Sequence, residues 1–272
     1  MRIDPVPVAN AEDPRVVDYL QLTDMDLRQR IEADRGLFMA EGHLIIERCA
    51  SLRLRFRSVL TSERWLDRLA PSLESTDVTV LVAEESVLRD ITGYRVHRGA
   101  LAVVSRPERL TVADVLGMER DILVLEDLVD PTNVGLAVRS AVVQGVRGVI
   151  LSPGCADPLY RRAVKSSMGS VLRCRWARSD DWEATLDLLA ESRRLVALTP
   201  EGERDLEDAM QETADEDVAL MVGSEGPGLS PVALARATLH CRIPMASPED
   251  SLNVAAATAV ACYARSRCRR DA

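Results

Sequence analysis

The residues best suited to chemistry in this chain stand in three short loops of its second half. The first, Glu126-Asp-Leu-Val-Asp-Pro-Thr-Asn133, leads into the segment VGLAVRSAVVQG, which has helical spacing. Thr132 or Asn133 is placed to cap that helix. Arg139 stands in it among Val134, Leu136, Ala137, Val138, Ala141, Val142 and Val143. A guanidinium in so apolar a helix needs a carboxylate or phosphate partner, because burying it unpaired is costly. Two accounts stay open: an arginine on the helix rim paired with Glu126 or Asp127, or one held for a ligand.

The second loop, in Leu220-Met-Val-Gly-Ser-Glu-Gly-Pro-Gly-Leu229, follows an apolar strand. Its glycines permit a sharp turn or a close approach of backbone to ligand. No GK[ST] follows and no GxGxxG is present, so it is neither a Walker loop nor a dinucleotide fingerprint. Glu225, in mid-turn, has no obvious structural task. The third loop, Ile243-Pro-Met-Ala-Ser-Pro-Glu-Asp-Ser-Leu-Asn-Val254, enters an alanine-rich helix. Asn253 or Ser251 reads as its cap, and the helix, apolar on nearly every side, is expected to be buried or part of a subunit interface.

These loops need strands to present them. Apolar runs such as ILVL and VALMV suit parallel strands buried on both faces. Strands are expected over 122–128, 148–152, 173–177, 195–199, 218–223 and 241–244, and helices over 133–144, 158–170, 182–194, 231–237 and 253–270. That alternation predicts an α/β sheet with ligands beyond the carboxyl ends of its strands. The first half reads as a smaller α/β domain. A helix is expected over 13–35, then strands at 37–42, 56–61, 78–83 and 100–105 with helices at 44–51, 64–69 and 85–91. The domain spans 1–106, the polar stretch 107–120 is a linker holding a short helix at most, and 121–272 is the second domain.

At 272 residues, 47% hydrophobic, two domains or one large one are expected. No apolar run approaches the roughly 18 residues of a membrane span, and the start lacks the pattern of a secretory signal. Six cysteines without a CxxC pair and three histidines give no zinc-ligand spacing. A reduced, cytoplasmic, metal-free chain is expected. The net charge of −9 argues against unspecific coating of nucleic acid but allows a local basic patch.

In order and spacing the three loops resemble the three motifs of the SpoU (TrmH-like) branch of the SPOUT RNA methyltransferases. Asn133-Val-Gly-(x)3-Arg139 with the trailing GVRGVILSPGCADPLYRRAVKSSMGSVLR matches the first motif, VGSEGPGLS the second and IPMASPEDSLNVAAATAVA the third. FMAEGHLIIERC and GALAVVSRP, more loosely, resemble the ribosomal-protein-like RNA-binding domain that many members carry at the amino terminus. The resemblance implies a C-terminal domain tied in a trefoil knot, a known exception to the rule against knots. It implies S-adenosylmethionine held by Val222, Gly223, Ser224, Gly226, Ile243, Met245 and Leu252, and a homodimer formed through the first and last helices of this domain.

The reaction implied is methyl transfer to a ribose 2′-hydroxyl of RNA, ribosomal RNA ahead of transfer RNA. Arg139 would stand at the reacting ribose, surrounded by Asn133, Glu225, Ser251 and Asn253. A guanidinium stays protonated, so Arg139 is expected to clamp phosphate and stabilise developing alkoxide charge rather than act as base. An RNA-binding or assembly protein of the same fold without catalysis is the alternative. RNA contact is expected from arginine clusters: Arg161, Arg162 and Lys165 first, then Arg53, Arg55 and Arg57, then Arg95, His97 and Arg98, and the tail Arg265, Arg267, Arg269 and Arg270. Phe38, Phe56, Tyr94 and Tyr160 are the candidate stacking platforms, too few for a single strand to be read by stacking.

Overall fold

The computed structural model describes residues 4–20, 22, 33–96, 99–247 and 251–271, the last two without side-chain detail. They divide into two compact units, Met1–Glu108 with Leu159–Leu172, and Arg109–Pro158 with Arg173–Ala272.

The first unit is built on a five-stranded mixed sheet of order β1-β4-β3-β5-β2. Its strands are β1 (Pro5–Pro7), β2 (Leu37–Glu41), β3 (Phe56–Thr61), β4 (Thr79–Val82) and β5 (Ala100–Ser105), with helices α1 (His43–Ser51), α2 (Glu63–Leu73) and α3 (Glu85–Thr92). β2 and β3 run antiparallel to β5, and β4 runs parallel to β3. β1 has no pattern to announce it. Its two prolines lack an N–H, and it is tolerated because it lies at an edge, parallel to β4. Of the helix expected over 13–35, the structure shows a 3-10 turn at Pro14–Tyr19, and residues 23–32 lie outside the described ones.

In the second unit the expected linker carries a real helix, α4 (Val112–Met118), closed by a capping box between Thr111 and Asp114. Val115 of α4 is buried in the core of this unit. There follow β6 (Ile122–Leu125), α5 (Pro131–Val143) and β7 (Gly148–Leu151). The chain then contributes Leu159–Leu172, with α6 (Arg161–Ser166), to the first unit, where α6 packs along the edge strand β2. A covered edge cannot template pairing with another chain. The second unit resumes with β8 (Arg175–Arg178), α7 (Trp182–Ser192), β9 (Arg194–Leu198), β10 (Arg204–Asp205), α8 (Leu206–Glu212), β11 (Val218–Val222), α9 (Pro231–Arg236), β12 (Leu239–Arg242) and α10 (Val254–Asp271).

All strand pairs of this seven-stranded sheet are parallel, in the order β10-β12-β9-β11-β6-β7-β8. β6 and β11 are buried at every position, as continuous apolar runs on a two-sided sheet require. β10 and α8 have no counterpart in the sequence reading, because a two-residue strand and a two-turn helix are too short to show periodicity. α10 packs on α5 and is anchored near its end by Arg265, whose guanidinium bonds Asp121 and the carbonyls of Thr213 and Glu216. Arg269 joins Asp121 and Asp217. These two tail arginines are therefore structural, which corrects their assignment to RNA contact. Among the described residues no helix is long and apolar enough to cross a membrane, and no group of His, Cys, Asp and Glu is arranged to hold a metal.

Candidate active site

Each of the three loops delivers one residue to a single polar network. In the first, Asp130 rather than Thr132 or Asn133 caps α5: its Oδ1 accepts the Thr132 N–H at 2.9 Å, with Pro131 at the first helical position. That leaves the Asn133 amide free to donate to Glu225 Oε1 at 3.0 Å. Asn253 caps α10, its Oδ1 accepting the Ala255 N–H at 2.9 Å. The same side chain donates from Nδ2 to Glu225 Oε1 at 2.6 Å and to Asn133 Oδ1 at 3.2 Å. Glu225 thus accepts from both asparagines, and both hydrogens of the Asn253 amide are used.

Glu225 can stand there because its turn is closed tightly. Gly228 N–H donates to the Ser224 carbonyl at 3.1 Å and the two residues pair as a bridge. Gly223 lies against Gly228 so closely that a Cβ at 223 would sit 2.1 Å from the Gly228 carbonyl carbon. Gly226 and Gly228 take positive φ, 96° and 71°, which bring the apex round.

Beside this network lies a cavity of 490 Å³ at the carboxyl ends of β9, β11 and β12. All seven residues expected at a cofactor, Val222, Gly223, Ser224, Gly226, Ile243, Met245 and Leu252, line it, together with Glu225, Ser251 and Asn253. Leu198, Thr199 and Pro200 line it too and were missed. The rule placing ligands beyond strand ends could have found them, since they end and follow β9. The volume lies within the roughly 300–1,000 Å³ of small-molecule sites. Its walls combine apolar side chains (Leu198, Ile243, Leu252, Val254, Ala257) with bare glycine backbone, and Glu225 is the one ionisable side chain among the described lining residues. That composition fits a flat apolar ring joined to a cationic group. Burial raises the Cys155 thiol above its ordinary value and pushes that of Cys241 up to about 12.

Arg139 departs from expectation. It is exposed, it is not among the cavity's lining residues, and no partner is found for it among the described residues. α5 buries Val134, Ala137, Val138 and Ala141 and turns Arg139 outward. The rim pairing with Glu126 or Asp127 does not occur either. Glu126 accepts from Trp182 and Ser230, and Asp127 accepts the Ser152 hydroxyl at 2.6 Å.

Residues 121–263 match the model of the SpoU rRNA Methylase family. The chain belongs to the SpoU family. An uncharacterised tRNA/rRNA methyltransferase of Mycobacterium tuberculosis is 38% identical to it over 97% of this chain and 93% of that protein. The Bacillus subtilis 23S rRNA (guanosine(2553)-2′-O)-methyltransferase RlmP is 24% identical, over 94% of this chain and 97% of its own length. Among solved structures, an AdoMet-bound rRNA methyltransferase from Sinorhizobium meliloti superposes with a TM-score of 0.81 at 27% identity, covering 97% of this chain and 98% of the other. This SpoU protein thus has the α/β fold of the RNA methyltransferases of that class.

The basic residues expected to touch RNA in this SpoU chain fall into different settings. In the first unit Arg161 donates to Glu41 at 3.0 Å, to the Tyr94 hydroxyl at 2.6 Å and to the Leu22 carbonyl at 2.9 Å. Lys165 pairs with the other Glu41 oxygen at 2.5 Å. Glu41 is buried, so these two cations are in part committed to compensating it. Arg162 is exposed without a partner among the described residues, and Arg53 and Arg55 line an open groove with Ser75, Thr76 and Asp77. Arg57 pairs with Asp18, and His97 and Arg98 lie outside the described residues. Phe38 is fully buried in the core and presents no face for stacking, a correction to its role as a platform, while Phe56, largely buried, lines the groove of Arg53 and Arg55.

Proposed function

We propose that this chain is an S-adenosylmethionine-dependent methyltransferase of RNA that modifies a ribose 2′-hydroxyl, on ribosomal RNA in preference to transfer RNA. One observation carries the reading: the second and third loops line one cavity whose glycine backbone, apolar walls and single carboxylate suit that cofactor, and the first loop reaches that carboxylate through Asn133. Bound there, S-adenosylmethionine would supply an electrophilic methyl group on a sulfonium. Leu198, Ile243 and Leu252 would enclose the adenine, the 222–226 backbone would meet the polar groups, and Glu225 would face the positive charge. Asn133 and Asn253 hold Glu225 in place, and Ser251, exposed at the mouth, offers its hydroxyl to the entering ribose.

Arg139 would clamp the phosphate next to the ribose through its guanidinium fork and stabilise charge on the attacking oxygen, the hydroxyl proton being lost late, to solvent. In a single chain this cation faces solvent. A homodimer through α5 and α10 would enclose it, and exposed Val143 on α5 and Val260 and Tyr263 on α10 support such a surface. In this reading the C-terminal segment is knotted as in the family, residues 1–106 form an RNA-binding domain that meets RNA through Arg53 and Arg55, with Arg161, Arg162 and Lys165 of the 159–172 segment grouped with it, residues 107–120 join the domains, and the protein works in the cytoplasm.

The test is a map of 2′-O-methylation across total RNA with and without the gene. One site that loses its signal names the substrate, and an unchanged map refutes the assignment. Calorimetric titration with S-adenosylmethionine separates it from a non-catalytic RNA-binding protein, which gives no heat.

A further inference from the structure

Glu126 is buried, forms no ion pair among the described residues, and stands where the first loop begins. It touches both ends of the second loop. Its backbone N–H donates to the Val222 carbonyl at 3.0 Å, just before the glycine turn. Its carboxylate receives the Ser230 N–H at 2.8 Å and the Ser230 hydroxyl at 2.7 Å, just after the turn. The Ser230 hydroxyl in turn accepts the Ala233 N–H at 3.1 Å and starts α9. A third donor, the indole N–H of Trp182, reaches the carboxylate from α7, whereas the two Ser230 donors come from the end of the turn itself.

We infer that Glu126 is a positioning residue for the candidate site, acting through Ser230 and Val222 to set the turn that carries Glu225. The seven residues 223–229 are held at both stems by one amino acid. The same residue begins the loop that ends at Asn133, the donor to Glu225. Glu126 therefore sets two of the three loops relative to each other. Charge strengthens the grip, since hydrogen bonds to an ionised acceptor are about twice as strong as neutral ones. A glutamine there has one accepting oxygen, and its NH2 would oppose a donor.

The inference rests on the cofactor reading for its consequence but not for its geometry, and the experiment separates the two. Hydrogen exchange of the 223–230 amides is measured on the whole ligand-free protein, alongside titration with S-adenosylmethionine, for wild type, E126Q, S230A, W182F, E225Q and the E126Q/E225Q double variant. Faster exchange in the turn is expected for E126Q and S230A, with W182F like wild type there. Affinity is expected to fall about tenfold or more in E126Q and S230A, the scale of a lost charge-assisted bond, and less than about twofold in W182F. In the E225Q background E126Q should add less than about twofold, because residues acting through one another are not additive. Unchanged exchange in E126Q and S230A overturns the clamp, as does equal loss in W182F or full additivity with E225Q. Should E126Q fail to fold, S230A carries the same decision. A wild type that does not bind S-adenosylmethionine while the variants still loosen the turn refutes the cofactor reading and upholds the clamp.

Discussion

Replacing Gly223 with alanine puts the shape of the candidate site to a quantitative test. The added methyl would lie 2.1 Å from the Gly228 carbonyl carbon, 2.2 Å from its oxygen and 2.3 Å from the Leu229 nitrogen. Non-bonded carbons rest at about 3.5–4.0 Å, so these atoms must part by more than about an ångström. All three are backbone atoms, and no side chain can swing aside. Overpacking of this kind costs about 1–3 kcal/mol. The turn opens, and the bonds that Glu225 Oε1 accepts at 3.0 and 2.6 Å stretch beyond hydrogen-bonding range. Losing bonds to a charged group costs about 1.5–3 kcal/mol each, which is tenfold to a hundredfold or more in affinity. The control is Gly226→Ala. There the methyl meets nothing within 4 Å, but φ is +96°, so the cost is backbone strain of about 1–2 kcal/mol without displacement of Gly228. Calorimetry with S-adenosylmethionine and urea denaturation should show a larger affinity loss for Gly223→Ala than for Gly226→Ala at a comparable loss of stability. Wild-type affinity and stability in Gly223→Ala would refute the claim that this contact shapes the cavity.

Arg265→Met should destabilise the protein by about 3–5 kcal/mol in chemical denaturation, because it leaves the buried Thr213 carbonyl and part of the Asp121 charge uncompensated; a loss below about 1 kcal/mol would contradict the anchoring of α10. Burial opposes ionisation of Asp217, yet hydrogen bonds from Arg120 and Arg269 hold its carboxyl below the ordinary value. Its contribution to stability is therefore complete above about pH 4 and is lost as pH falls through the depressed value. Denaturation profiles of wild type and Asp217→Asn should converge in acid, and parallel profiles would count against the pairing. Arg139→Lys should cut turnover at least about tenfold while leaving S-adenosylmethionine affinity unchanged, since a lysine cannot form a bidentate fork. Near-normal turnover across pH would remove Arg139 from the reaction.

Much of the candidate site was legible because its pieces are local. A strand running into GSEGPG, or an asparagine just before a helix, is visible in a few consecutive residues, and all seven residues expected around a cofactor line one cavity. The errors share a cause. Thr132 and Asn133 look as fit to cap α5 as Asp130, and the choice depends on where the helix begins. Arg139 looked buried because its neighbours are apolar, but a helix hides one face, and α5 turned this arginine to the other. Arg161 and Lys165 read as a free basic patch until Glu41, more than a hundred residues away, appeared beneath them.

What the sequence alone determined was the alternation of strands and helices in both halves, the buried character of β6 and β11, and the three loops that carry polar residues and glycines. These follow from periodicity and backbone chemistry, which act over a few neighbouring residues. The tertiary structure alone decided that Asn133, Glu225 and Asn253 share hydrogen bonds, that Leu159–Leu172 leaves its sequence neighbours to cover the edge of β2, and that Glu126 grips the stems of a turn a hundred residues on. Such pairings depend on which strand ends come side by side in the sheet, and strand order is set by the packing of the whole chain rather than by any one segment of it.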